Sequence, residues 1–207
     1  MAPRRAVARI AGEHLKKTVL ELGGSDPYVV MPSADIERAA EVATVARCQN
    51  NGQSCIAAKR FIVHEAVADH FERQFVSAMR SLVVGDPMDE KTQVGPLAMP
   101  QLVDDLERQV NESVARGAEL LTGGKPITGR GGFYFEPTVL ARVPPQSPAY
   151  RDELFGPVAA LFRARDAADA IRIANDPPFG LGATVWTTDE GEADLVAREL
   201  EAGSVFV

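Results

Sequence analysis

The sequence predicts an α/β domain. Two observations along the 207 residues carry that expectation: short runs rich in β-branched and aromatic residues recur, and amphipathic stretches with helical spacing separate them. Clusters of Gly, Pro, Asp and Asn mark most of the junctions. No internal repeat or low-complexity tract interrupts the alternation.

Taken in order, TVLEL (18–22) and YVVM (28–31) read as strands on either side of a GGSDP turn (23–27). A helix starts at Asp35, with Ile36, Ala39, Ala40, Ala43 and Ala46 at helical spacing, and its small side chains favour close packing. RFIV (60–63) is the next strand. The helix after it carries Val67, Phe71, Phe75, Met79 and Leu82 on one stripe. GDPMDEKTQVGPL (85–97) is a loop by its Gly and Pro content. Leu102, Leu106, Val110 and Val114 then mark a helix that ends against Gly117. The glycine-rich GGKPITGRGGFYFEPTVL (123–140) lacks both the dinucleotide glycine fingerprint and a P-loop lysine, and reads as a turn-rich hairpin leading into a strand. VAALFRA, GATVW and GSVFV are later strands, with helices from Asp166 and Asp189 between them. The last residue, Val207, falls inside an apolar β-run, so the chain reads as a piece of something longer.

Composition removes several classes of function. With 45% apolar and 25% charged residues the chain is globular, and a net charge of −7 argues against a nucleic-acid surface. The basic cluster Arg4, Arg5, Arg9 lacks the apolar stretch of a signal peptide and is expected to be a solvated terminus. No stretch is long and apolar enough to predict a membrane span. Two cysteines, Cys48 and Cys55, are too few for a disulfide framework and are not spaced as a C-x-x-C pair, which favours a reducing, cytoplasmic setting. His14, His64 and His70 show no metal-ligand spacing, and no metal is expected.

Two residues are candidates for chemistry. Cys55 follows a Gly52-Gln53-Ser54 turn that could expose its thiol at the mouth of a cleft, with its own N–H available to a developing oxyanion. Taken alone, it reads more simply as a small core residue. Cys48, inside a helix, reads as core. Glu21 sits between two leucines, ahead of Gly23 and Gly24, where backbone or substrate can approach closely. Lys59 and Arg60 are cations at the edge of a strand, available to attract an anionic substrate or simply to be solvated.

Together the motifs resemble the aldehyde dehydrogenase superfamily, specifically its catalytic domain. The resemblance rests on LELGG (20–24), NNGQSC (50–55) and ELFGPV (153–158), with FGLGATVW and EAGSVFV in support, and it runs from about Arg5 to Val207. It implies a mostly parallel twisted sheet flanked by helices. It also implies oxidation of an aldehyde to a carboxylic acid with NAD or NADP: Cys55 as nucleophile forming a thiohemiacetal and then a thioester, Glu21 as base for its hydrolysis, and Gly23, Glu153 and Phe155 at the nicotinamide end of the cofactor. In texture the chain is nearest the succinate-semialdehyde dehydrogenase branch. The resemblance further implies that residues 1–207 are a partial catalytic domain, with an amino-terminal cofactor-binding region and a carboxy-terminal segment outside it, inactive alone and oligomeric in a longer parent. A reductase forming an acyl-thioester and a non-catalytic assembly module are the alternatives.

Overall fold

The computed structural model describes residues 2–207. The elements run α1 (Ala2–Glu13), β1 (Asp26–Val30), α2 (Ile36–Cys48), a 3-10 turn (Gln49–Gly52), β2 (Ala58–His64), α3 (Glu65–Ser81), α4 (Pro100–Ala115), β3 (Glu119–Thr122), β4 (Pro126–Ile127), β5 (Tyr134–Phe135), β6 (Thr138–Ala141), α5 (Pro148–Arg151), β7 (Val158–Ala164), α6 (Ala167–Asn175), β8 (Gly182–Trp186), α7 (Glu190–Glu199) and β9 (Ser204–Phe206). Seven strands form one sheet in the order β3-β6-β7-β2-β1-β8-β9, in which only the β3–β6 pair is antiparallel. β4 and β5 make a separate two-stranded hairpin within the glycine-rich segment, as its turn chemistry predicts.

The central strands are buried on both faces, and this explains their nearly continuous apolar sequence. Alternation along each strand divides the core in two. Tyr28, Val30, Phe61 and Val63 face α2 and α3, where they meet Ala39, Ala43, Phe71, Phe75 and Met79. Val29, Met31 and Ile62 face the other layer, with Leu106 and Val110 of α4, Ile173 of α6 and Val196 of α7. The alanines of α2 bring its backbone within reach of the sheet, so that the Tyr28 hydroxyl donates to the Ala39 carbonyl at 2.8 Å. Asp35, Asp166 and Asp189 cap α2, α6 and α7, each accepting a backbone N–H of the first turn. Among the described residues, no helix is long and apolar enough to cross a membrane.

Three segments depart from the sequence reading. TVLEL is not a strand: residues 16–25 are irregular, and Val19 and Leu22 are 85% and 57% exposed. The reason is topological. This segment leads into β1, both of whose edges are already taken by β2 and β8, and Gly23 breaks the extended line at φ +87°. The GGSDP turn is shorter than expected, because Asp26 and Pro27 already belong to β1; the proline is accommodated by a register shift between them. The basic amino-terminal segment lies in α1, with Arg5 and Arg9 exposed; the side chain of Arg4 lies outside the described residues. α1, β3 and the single-turn α5 have no counterpart in the sequence reading.

Phe75 is the anchor of the α3 layer, fully buried with ring centroids 4.6 Å from Phe61 and 5.4 Å from Phe71. Phe75→Ala is expected to destabilise the fold by about 3–5 kcal/mol, read as a lower urea midpoint at unchanged slope. A loss within about 0.5 kcal/mol, the range of surface substitutions, would contradict this packing.

Candidate active site

Three motifs far apart in sequence meet because each immediately precedes one of three adjacent parallel strands. Gly23-Gly24 leads into β1, Cys55 into β2 and the Glu153–Phe155 stretch into β7, and the sheet places these strands side by side as β7-β2-β1. Parallel pairing puts their amino ends together, so the motifs converge on one end of the sheet. A cleft of about 560 Å³ opens there, lined by Glu21, Gly23, Gln53, Ser54, Cys55, Leu102, Glu153 and Phe155. The five residues that the resemblance assigns, Cys55, Glu21, Gly23, Glu153 and Phe155, are in that lining; Gln53 and Ser54 of the cysteine turn and Leu102 complete it.

The loop that presents Cys55 is tightly specified. After α2, Asn50, Asn51 and Gly52 take left-handed backbone in succession (φ 49°, 57° and 75°). Asparagine tolerates that region better than other residues with a side chain. Both asparagines use their amides to hold it: Asn50 Nδ2 donates to the Gln53 carbonyl at 2.9 Å, and Asn51 accepts from Gly95 N at 2.7 Å while donating to the Pro96 carbonyl at 3.1 Å. Gln53 Oε1 accepts from Ala98 N at 2.8 Å. Gly95, Pro96 and Ala98, at the end of the 85–97 loop and just beyond it, thus supply the backbone to which the cysteine turn is moored. At Gly52 there is no room for a side chain, because a Cβ would lie 2.3 Å from the Gly156 carbonyl group.

Three cations are buried here, Lys59 and Arg47 against the cysteine loop and Arg60 against the segment before β1 and the end of α6. Lys59 is fully buried, and its ammonium donates to the carbonyls of Ser54, Cys55 and Ala57 at 2.8, 3.2 and 3.0 Å. It also stands 3.5 Å from Glu153 Oε1. Arg47 donates to the Gly52 and Val158 carbonyls, and Arg60 to those of Ser25, Ile173 and Ala174. The expectation that Lys59 and Arg60 attract substrate or stand in solvent is therefore corrected: they enter a strand covered on both faces, so their charges turn to carbonyls inside the protein, those of the cysteine loop for Lys59 and those of Ser25 and the end of α6 for Arg60. Burial brings the Lys59 ammonium down to about 8, with the Arg47 charge acting the same way and Glu153 and Asp26 opposing it.

Glu153 joins the pieces. Its Oε1 accepts from Gly24 N at 3.2 Å as well as facing Lys59, and the side chain is 20% exposed toward the cleft. A Cβ on Gly23 would lie 2.6 Å from Glu153 Oε2, and one on Gly24 would lie 2.2 Å from the Cys55 carbonyl oxygen. The close approach expected at the two glycines is thus made by Glu153 and the cysteine backbone. Glu21 is exposed at the cleft edge; Phe155 is half-buried in its wall.

The two thiols differ sharply. Cys55 is half-exposed, and among the described residues its N–H donates to no protein acceptor. Cys48 is buried against Met79, its sulfur 3.8 Å from the thioether, and burial pushes its thiol up to about 11 despite the neighbouring Arg47. His64 caps α3 and His70 faces Glu37, so neither serves Cys55.

A half-exposed thiol, a carboxylate at the cleft edge and a second, moored carboxylate thus meet at one end of a parallel sheet. A family profile described as "Aldehyde dehydrogenase family" matches residues 3–207, and the chain belongs to the aldehyde dehydrogenase family. It is 51% identical over 203 residues to an NADP(+) succinate-semialdehyde dehydrogenase of Mycobacterium ulcerans, covering 98% of this chain and 44% of the relative. It is 50% identical to the NAD(P)+ succinate semialdehyde dehydrogenase Sad of Escherichia coli, with the same coverage. Among solved structures, the aldehyde dehydrogenase KauB of Pseudomonas aeruginosa superposes with a TM-score of 0.95 at 37% identity, covering all of this chain and 42% of that one. An indole-3-acetaldehyde dehydrogenase complexed with NAD+ does so with a TM-score of 0.95 at 36% identity, with equal coverage. The chain spans less than half the length of these relatives.

The two thiols give a direct check. Near neutral pH, iodoacetamide is expected to label Cys55 well before Cys48, because Cys48 is both enclosed and held as the thiol. Peptide mass spectrometry reads the order, and faster labelling of Cys48 would contradict the structure.

Proposed function

We propose that this chain carries the catalytic part of an NADP(+)- or NAD(+)-dependent aldehyde dehydrogenase acting on succinate semialdehyde. The observation that carries the reading is the single cleft in which Cys55, Glu21, Gly23, Glu153 and Phe155 meet. Residues 1–207 are read as one catalytic unit. The named activities of the relatives above support the substrate class and the cofactor.

Cys55 attacks the aldehyde carbon as the thiolate and forms a thiohemiacetal, its free N–H standing where the oxyanion develops. A nicotinamide dinucleotide, when bound, supplies the hydride acceptor that leaves a thioester. The residues fit such a group: Glu153 has one oxygen tied to Gly24 N and Lys59, while among the described residues no donor reaches its other oxygen, which is left to accept from ribose hydroxyls. Phe155 offers an aromatic wall beside it, and Gly23, lacking a side chain, lets the Glu153 carboxylate lie against the backbone at this place. Glu21, exposed in the same cleft as the thiol, takes a proton from the water that attacks the thioester and frees the acid.

The test uses the protein expressed from its complete gene. With succinate semialdehyde and NADP(+), reduced cofactor is expected to accumulate with turnover. Glu21→Gln is expected to retain a first burst of reduced cofactor while steady-state turnover falls by about 10²-fold or more, since a base is needed only after the thioester forms. Loss of the burst together with turnover would assign Glu21 another role, and no oxidation of any aldehyde by the unaltered protein would refute the reading.

A further inference from the structure

We propose that Lys59 is a positioning residue of this site: its single ammonium holds the Cys55 loop and Glu153 to one another, so that the thiol and the carboxylate keep one relative placement. The inference rests on the dehydrogenase reading above for its kinetic consequences and on the geometry alone for its structural ones.

Three observations carry it. The side chain is fully enclosed, so its charge has no water to turn to and must be met by the protein. The charge is met by four acceptors from two segments far apart in sequence: the carbonyls of Ser54, Cys55 and Ala57, and Glu153 Oε1. The same Glu153 oxygen takes the Gly24 N–H, and Gly24 in turn lies against the Cys55 carbonyl. Lys59, Glu153 and Gly24 thus close a ring around the peptide unit that follows the nucleophile. An ammonium can serve such a convergent set because it is a compact point charge with three donors. A guanidinium presents a flat fork and cannot bring one atom to the same place.

Removing the ammonium leaves three carbonyls and a carboxylate without their common partner, and either segment is then free to shift. Displacement of a reacting group by about 1 Å costs on the order of 10²-fold in rate. The shared geometry also predicts that the losses from Lys59 and Glu153 overlap, since both break the same link.

The experiment compares Lys59→Met, Glu153→Gln and the double variant of the protein expressed from its complete gene, with succinate semialdehyde and NADP(+). Lys59→Met is expected to lower kcat by about 10²-fold, and the double variant to be no worse than about the poorer single one. In parallel, amide hydrogen exchange in the 50–58 segment is expected to quicken in Lys59→Met while that of β7 beyond Val158 stays as before. Lys59→Met with unchanged kcat, or a double variant that multiplies the two losses, would overturn the proposal. If Lys59→Met does not fold, Lys59→Arg keeps the charge and is expected to lose kcat to a similar degree; unaltered kcat in Lys59→Arg overturns it too. Should the unaltered protein oxidise no aldehyde, the functional reading fails by itself, and the exchange experiment still decides whether Lys59 holds the loop.

Discussion

The site depends on one buried ammonium. A lysine with no exposed surface is expensive to desolvate, by several kcal/mol in a typical interior. The charge is tolerated because Lys59 gathers three carbonyls and approaches Glu153, and a hydrogen bond to a charged group contributes roughly 1.5–3 kcal/mol. Arg47 and Arg60 repeat the device nearby, each satisfying carbonyls left at strand and helix ends. The loop around Cys55 has carbonyls that no ladder can pair, and Lys59 and Arg47 are what pairs those of Gly52, Ser54, Cys55 and Ala57.

Sheet topology and this electrostatic mooring act on different scales. Parallel pairing of β7, β2 and β1 brings three motifs to one end of the sheet to within a few ångströms. Many open α/β proteins bind ligands at the carboxyl ends of their strands; here the cleft lies at the amino ends. Contact at atomic spacing then requires the glycines. Gly24 meets the Cys55 carbonyl, Gly52 meets Gly156 and Gly23 meets Glu153, all at distances a Cβ would violate. The left-handed Asn50 and Asn51 store backbone strain at the turn, held by their own side-chain amides and by the 85–97 loop.

Much of this was legible in the sequence, for identifiable reasons. Helices α2, α6 and α7 carry aspartate caps, and α3 carries its apolar stripe, so local chemistry alone marks them. Cys55, Glu21 and Glu153 were singled out through their motifs and the order of those motifs along the chain, not through charge. TVLEL misled because its β-rich composition says nothing about whether a sheet edge is free to receive it. Lys59 and Arg60 misled because a cation beside a strand is usually solvated. The available signal was AKRFIV itself: two cations leading into an apolar run that parallel pairing buries on both faces. Charges in that position must find partners inside. Which partners they find depends on Glu153 and the carbonyls of α6, more than ninety residues away in sequence, and no local pattern encodes that.

The central claim, that one enclosed ammonium organises the site, has a direct spectroscopic measure. The chain has five lysines, and only Lys59 is fully buried. Its ammonium is lowered to about 8 from the ordinary value of 10.5, chiefly by burial, so it is charged at neutral pH. Nitrogen-detected NMR titration of the lysine side chains is expected to show one resonance titrating near pH 8, absent in Lys59→Arg. The absence of any lysine resonance titrating near pH 8, or the persistence of one in Lys59→Arg, would mean that Lys59 is not enclosed as described and that the mooring does not exist.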